Sequence, residues 1–324
     1  MDLITLPKAE IHCHLDGVLD PAMLRDIVRH DPAFPLVPDE FERAYPVESL
    51  EAFFRFWEFT SAISKKLDYC YPILGRHLDR LKAQNVRYTE VMIPSNRIAR
   101  DPGLAVEEFS RFRQWLDQQE ANRIQVELLI GIGRNRTVEE FETVARLILR
   151  LYEARLIVGV ALAGPERGWP VLPFKSFFAE FHEAGLGIEI HAGEWSGPES
   201  VWDALENGYP DRIGHGVALF DDPRLIDLVR ERAIHLEMCP TCNLKTGSVA
   251  ALDQHPIRRA RDLGMNFSLN TDDPGVVGCT MQSEYDLVSR LFGFSEADFQ
   301  QIYANTLRAR FQPKLDGDVI QTAL

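Results

Sequence analysis

The sequence predicts an α/β fold, a (β/α)8 TIM barrel with a helical insertion after the first strand and extra helices at the C-terminal end. Two observations carry this. Eight short β-branched or apolar runs alternate with longer amphipathic stretches, which implies a parallel sheet, and eight such units close into a barrel more readily than they spread into an open sheet. The residues that could do chemistry fall at the C-terminal ends of four of those runs, the face on which barrel enzymes carry their sites.

The expected strands are Ala9–Leu15, Val86–Ile93, Gln125–Gly131, Ile157–Ala163, Gly187–His191, Arg212–His215, Ile234–Met238 and Asn266–Asn270. Helical patterns follow at Pro72–Gln84, Leu104–Glu120, Thr137–Glu153, Phe174–Ala184, Glu199–Glu206, Pro223–Arg232 and Pro256–Leu263. Thr137-Val138-Glu139-Glu140 reads as a capping box, with the Thr and the second Glu satisfying each other's backbone amides. An aromatic-rich insertion, Leu50–Ser64, lies between the first two strands, and Gln282–Leu291 and Glu296–Arg310 follow the last. Phe53, Phe54, Phe56, Trp57 and Phe59 are read mostly as core packing, with part of the group covering the pocket. No repeat, low-complexity tract or linker interrupts the pattern, so residues 1–324 read as one domain.

Composition narrows the function. The net charge of −14 argues against nucleic acid or an anionic membrane surface as partner and suits a small neutral or cationic ligand. No run approaches the ~18 apolar residues of a membrane span. The first residues lack a basic stretch followed by an apolar one, which predicts a cytoplasmic location. The five cysteines, Cys13, Cys70, Cys239, Cys242 and Cys279, are odd in number and scattered, as free thiols in a reducing compartment would be. Cys239-Pro240-Thr241-Cys242 lacks a second pair and reads as a strand end with two small thiols.

Four motifs hold the candidate chemistry: Glu10-Ile11-His12-Cys13-His14-Leu15-Asp16-Gly17, His191-Ala192-Gly193-Glu194, Arg212-Ile213-Gly214-His215-Gly216 and Ser268-Leu269-Asn270-Thr271-Asp272-Asp273-Pro274. Residues two apart on a strand share a face, so His12 and His14 can point at one ion. His191 and Asp272 complete a set of three imidazoles and a carboxylate. That set suits one Zn²⁺, although Fe²⁺ or Co²⁺ fits the same donors. Such a shell leaves a position for water, whose pKa falls from ~15.7 toward ~7. Glu194, where strand turns to helix, reads as a general acid and base. His215, between two glycines, reads as a group that orients or deprotonates the water. Adjacent carboxylates repel unless each is neutralised differently. Asp272 is therefore assigned to the metal and Asp273 to substrate, though spacing leaves the reverse open. His30, His77, His182, His235 and His255 are read as ordinary.

These residues resemble the adenosine deaminase family of metal-dependent hydrolases. The matching segments are Pro7–Gly17, His191–Glu194, Arg212–Gly216, Cys239-Pro240 and Ser268–Pro274, in the family's order. The resemblance implies hydrolytic deamination at C6 of an adenine nucleoside, with Glu194 protonating N1 and Asp273 bonding N7. It implies that the Gly164 N–H meets N3 and that Asp16 contacts a ribose hydroxyl. Where adenosine deaminases carry Gly-Asp-Glu after the fourth strand, this chain has Gly164-Pro165-Glu166, and the proline removes a backbone donor. Relatives acting on aminodeoxyfutalosine or on N6-methylated adenine nucleotides therefore remain alternatives. Adenine deaminases, which carry glutamate where this chain has Asp16, fit less well.

Two other classes compete. A two-metal hydrolase needs a bridging lysine or acid near the end of the fourth strand, and Ile157–Ala163 has neither. A non-catalytic relative would not require the complete set of ligands, acid and histidine.

Overall fold

The computed structural model describes residues 2–43, 47, 49–60, 66–98, 100–120 and 124–312. Eight parallel strands lie in chain order, each paired with the next. They are β1 (Lys8–Glu10), β2 (Val86–Pro94), β3 (Gln125–Gly133), β4 (Gly159–Ala163), β5 (Gly187–Ala192), β6 (Arg212–His215), β7 (His235–Met238) and β8 (Phe267–Leu269). Helices surround them, and the expected (β/α)8 architecture is present.

The seam between β8 and β1 closes just beyond the regular strands. Cys13 bridges Asp272 in parallel, His14 N donates to Asp272 O at 2.9 Å, and Asp272 N donates to His12 O at 3.2 Å. The first strand is shorter than expected because the Ile11 amide donates to the Asn270 side chain at 3.0 Å instead of to a neighbouring backbone. Extended geometry resumes as single bridges at Cys13 and His14. It then stops: Leu15 turns with φ −59° and ψ −37°, and Asp16–Val18 forms a 3-10 turn.

The helices follow the sequence signals closely. Thr137 Oγ1 accepts from Glu140 N and Glu140 Oε2 accepts from Thr137 N, so the capping box opens helix Val138–Glu153. Its period buries Phe141, Val144, Ala145, Ile148 and Leu151. In the aromatic insertion, Leu50–Thr60 is helical; residues 61–64 and the Phe59 side chain lie outside the described residues. The C-terminal helices Met281–Phe292 and Glu296–Ala309 begin at capping boxes on Thr280 and Ser295, and the second packs on β8 and β1. Among the described residues no helix is long and apolar enough to cross a membrane.

Candidate metal centre and active site

Strand ends bring the four expected ligands to one point. His12 and His14 follow β1, His191 ends β5, and Asp272 follows β8. His12 Nε2 lies 3.2 Å and His14 Nε2 3.4 Å from Asp272 Oδ1, and His14 Nε2 lies 3.1 Å from His191 Nε2. The four donor atoms all lie within 4.8 Å of one another, so these residues could hold a metal ion. The fit extends to hydrogen bonding. His12 Nε2 and Asp272 Oδ1 are buried without a hydrogen-bond partner among the described residues. Such orphans cost stability unless a cation lies between them. Burial lowers the His14 pKa to about 4 and holds that of His191 well below its ordinary value. Both are therefore neutral, the form in which imidazole binds metal.

A second layer of buried charge aims His12. Its Nδ1 faces Glu237 Oε2 at 2.8 Å and Glu189 Oε1 at 2.9 Å, which leaves the Nε2 lone pair toward Asp272. Burial disfavours a charged His12, but Glu189, Asp272 and Glu237 outweigh it and hold its pKa well above the usual value. A proton and a metal thus compete for the same nitrogen. Arg212 Nε reaches Glu237 Oε1 at 2.7 Å, and its Nη2 reaches Glu90 Oε2 at 2.7 Å. Tyr88 donates to Glu90 at 2.7 Å. The sequence reading assigned no role to Glu90, Glu189, Arg212 or Glu237. The available signal was alternation: Glu189 precedes His191 by two on the same strand face, inside an otherwise apolar run.

Glu194 sits 5 % exposed, with Oε2 3.4 Å from His215 Nε2. Burial, then the nearby Asp272 and Glu166 carboxylates, raise its pKa well above the ordinary range, so it holds a proton. Its backbone is anchored by Glu166, which the sequence reading passed over. Glu166 accepts from the amides of Gly193 (3.0 Å), Glu194 (2.8 Å) and Trp195 (3.2 Å) and from Ser200 Oγ (2.7 Å). The loop carrying Pro165 therefore braces the turn that presents Glu194.

His215 and Asp272 both adopt left-handed backbone conformations, with φ of 64° and 63°. For residues with a Cβ this costs about 1–3 kcal/mol and persists where the surroundings impose it. Gly214 permits close approach: a Cβ there would lie 2.9 Å from His12 Cε1 and 3.2 Å from His191 Nδ1. Gly214→Ala is expected to displace both imidazoles, cost about 1–3 kcal/mol in urea unfolding and lower bound metal. An alanine variant with wild-type metal content and unfolding midpoint would refute that reading.

Asp16 is buried in the turn after His14 and ion-paired with Arg97, so its carboxylate is shared rather than projecting from an extended strand. Gly164 directly follows β4, with φ 90°. Asp273 is buried beside Gly17, and its Oδ1 lacks a partner among the described residues. Burial and the adjacent Asp272 push its pKa well up, which makes it a donor. The Trp57 ring lies edge-on to His14 at 6.1 Å and Phe54 lies 5.3 Å from Trp195, so part of the aromatic helix covers the mouth. All five cysteines are free and buried, and the Cys239 thiol lies within 4.8 Å of donor atoms of His12, His215 and Asp272. His255, read as ordinary, lines up behind His215 through Asn243.

Residues 7–320 match the adenosine deaminase family. An aminodeoxyfutalosine deaminase of Acidothermus cellulolyticus is 32% identical over 297 residues, covering 88% of this chain and 83% of its own. An adenosine deaminase of Klebsiella pneumoniae is 32% identical over 314 residues, covering 95% and 94%. The crystal structure of an adenine deaminase from Arthrobacter aurescens superposes with TM-score 0.83 at 23% identity, covering 94% of each chain. With the match spanning nearly its whole length, the chain belongs to the adenosine deaminase family and is a hydrolase acting on amidine C–N bonds.

Proposed function

We propose that this protein hydrolyses the 6-amino group of an adenine nucleoside, using one Zn²⁺ per chain held by His12, His14, His191 and Asp272. The observation that carries the reading is the buried Glu194 carboxyl, 3.4 Å from His215 Nε2, beside that ligand set. A bound metal would supply a water acidic enough to react at neutral pH. The residues do the rest. Glu194 gives its proton to purine N1, which makes C6 electrophilic. The water oxygen adds to C6, the C6–N6 bond breaks, and the oxygen becomes the 6-oxo group. One proton of the water replaces that lost by Glu194, and the other completes ammonia. Protonated Asp273 donates to N7, the Gly164 amide to N3, and His215 holds the water.

Asp16 would accept a bond from the ribose 5′-hydroxyl. A hydrogen bond to a charged group is worth about 1.5–3 kcal/mol, or about ten- to a hundredfold. Asp16→Ala is then expected to lower kcat/KM for adenosine by that factor while hardly affecting 5′-deoxyadenosine. The Arg97 partner calls for an Asp16→Asn control, which keeps the volume. Equal losses on adenosine and free adenine would reject the contact.

Pro165 and the 32% identical relative named for aminodeoxyfutalosine support a second reading, an adenine nucleoside with an enlarged 5′ substituent. An ultraviolet deamination screen decides between them. It compares adenosine, 2′-deoxyadenosine, adenine, 5′-modified adenosines and N6-methyl-AMP. Adenosine as best substrate supports the first reading, and a 5′-extended nucleoside supports the second. Free adenine as best substrate rejects both.

A further inference from the structure

We infer that Asn243 and His255 fix the proton of His215 on Nε2, making His215 a donor to the attacking water rather than its base. The inference rests on the proposed role of His215, but its geometry is independent of that role. The chain of contacts has one unambiguous end. The backbone amide of Ile257 donates to His255 Nδ1 at 3.2 Å. His255 Nδ1 is therefore an acceptor, and its proton is on Nε2. That Nε2–H faces Asn243 Oδ1 at 3.1 Å, which orients the amide. Asn243 Nδ2 then points at His215 Nδ1, 3.0 Å away, and can only donate. His215 Nδ1 must accept, so the neutral ring carries its proton on Nε2. This atom faces the site, 3.4 Å from Glu194 Oε2 and 3.8 Å from Asp272 Oδ2.

All three side chains are buried, and along the series each polarity dictates the next. Because the series ends on a backbone amide, it cannot pass a proton. It acts as a positioning device. Asn243 starts from helix Pro240–Lys245, directly after β7, and His255 lies just before helix Ile257–Asp262. A donor toward the water stabilises the negative charge that grows on its oxygen as its proton leaves. In this arrangement the water's proton has to leave toward Glu194 or the leaving amine, not toward His215.

Asn243→Asp tests this directly. A carboxylate still accepts from His255 but also accepts at His215, so the polarity at His215 is reversed and a negative charge is added beside its Nδ1. Long-range ¹H–¹⁵N spectra of the imidazoles, in metal-free and zinc-loaded protein, report which ring nitrogen is protonated. Wild type is expected to show His215 protonated at Nε2 in both. Asn243→Asp is expected to show protonation at Nδ1, unchanged zinc content, and kcat lower by about 10²-fold or more, with KM little altered. Misplacing a catalytic imidazole's proton in this way is costly in other hydrolases, about 10⁴-fold in a Ser-His-Asp triad. His255→Gln, whose amide can still donate to Asn243, is expected to keep the Nε2–H form and most of kcat. A wild-type proton on Nδ1 overturns the inference. So does an Asn243→Asp variant that loses kcat with the His215 proton still on Nε2, or one that swaps the proton and keeps kcat. If no tested nucleoside is deaminated, the proposed function fails while the wild-type spectrum still decides the proton's position.

Discussion

Replacing Glu194 with glutamine is expected to leave metal binding intact and to lower kcat by about 10²- to 10⁴-fold. The carboxyl is buried beside Asp272 and Glu166, whose charges and the lack of solvent keep it protonated at neutral pH. Glutamine preserves the shape and an N–H donor, and so the bond to N1. It cannot release the proton that makes C6 electrophilic. The loss should therefore appear in kcat with little change in KM, the sign of an interaction made chiefly in the transition state. Glu194 also contributes no atom to the four-ligand set, so metal per chain should stay at the wild-type value. A Glu194→Gln enzyme within threefold of wild type would remove Glu194 from the chemistry.

His12→Ala is expected to abolish both metal binding and turnover, and to destabilise the apoprotein as well. His12 has two functions in the structure. Its Nε2 faces Asp272, and its Nδ1 lies between Glu189 and Glu237. Truncation leaves two buried carboxylates facing each other with Arg212 as their remaining cation. Removing one member of a buried ionic network typically costs about 3–5 kcal/mol. Chelation of the wild-type enzyme should abolish turnover without that penalty from the lost imidazole. Metal analysis and urea unfolding of both samples separate the two effects. Stoichiometric metal and full turnover in His12→Ala would show that the ligand set has been wrongly drawn.

What could be read from the chain was whatever repeats locally or stands at a strand end. Alternating apolar runs and amphipathic stretches are short-range patterns, so the eight strands were legible in order and seven of the helices between them in place, whereas helices Pro21–His30 and Pro240–Lys245 were not anticipated. The capping box at Thr137 needs only residues three apart. His12, His14, His191, Glu194, His215 and Asp272 were legible because barrel strands are parallel and present their C-terminal ends to one face.

Other features depend on where neighbouring strands come to rest. The first strand stops at Glu10 because Asn270, 259 residues away from Ile11, takes the amide that a ladder would use. Asp16 follows two residues after His14, yet it meets Arg97 in a turn instead of continuing the extended face. Glu189, Glu237, Glu90 and Arg212 look in sequence like isolated charges in apolar strands. They become a network because β5–β6 register sets Glu189 against Arg212 and because closing the barrel carries His12 to both carboxylates. Asn243 and His255 carry no motif at all, since their role depends on which atom faces which. Hydrogen-bond polarity is a property of pairs, and these pairs exist only once the eight strands have brought distant segments together around one cavity.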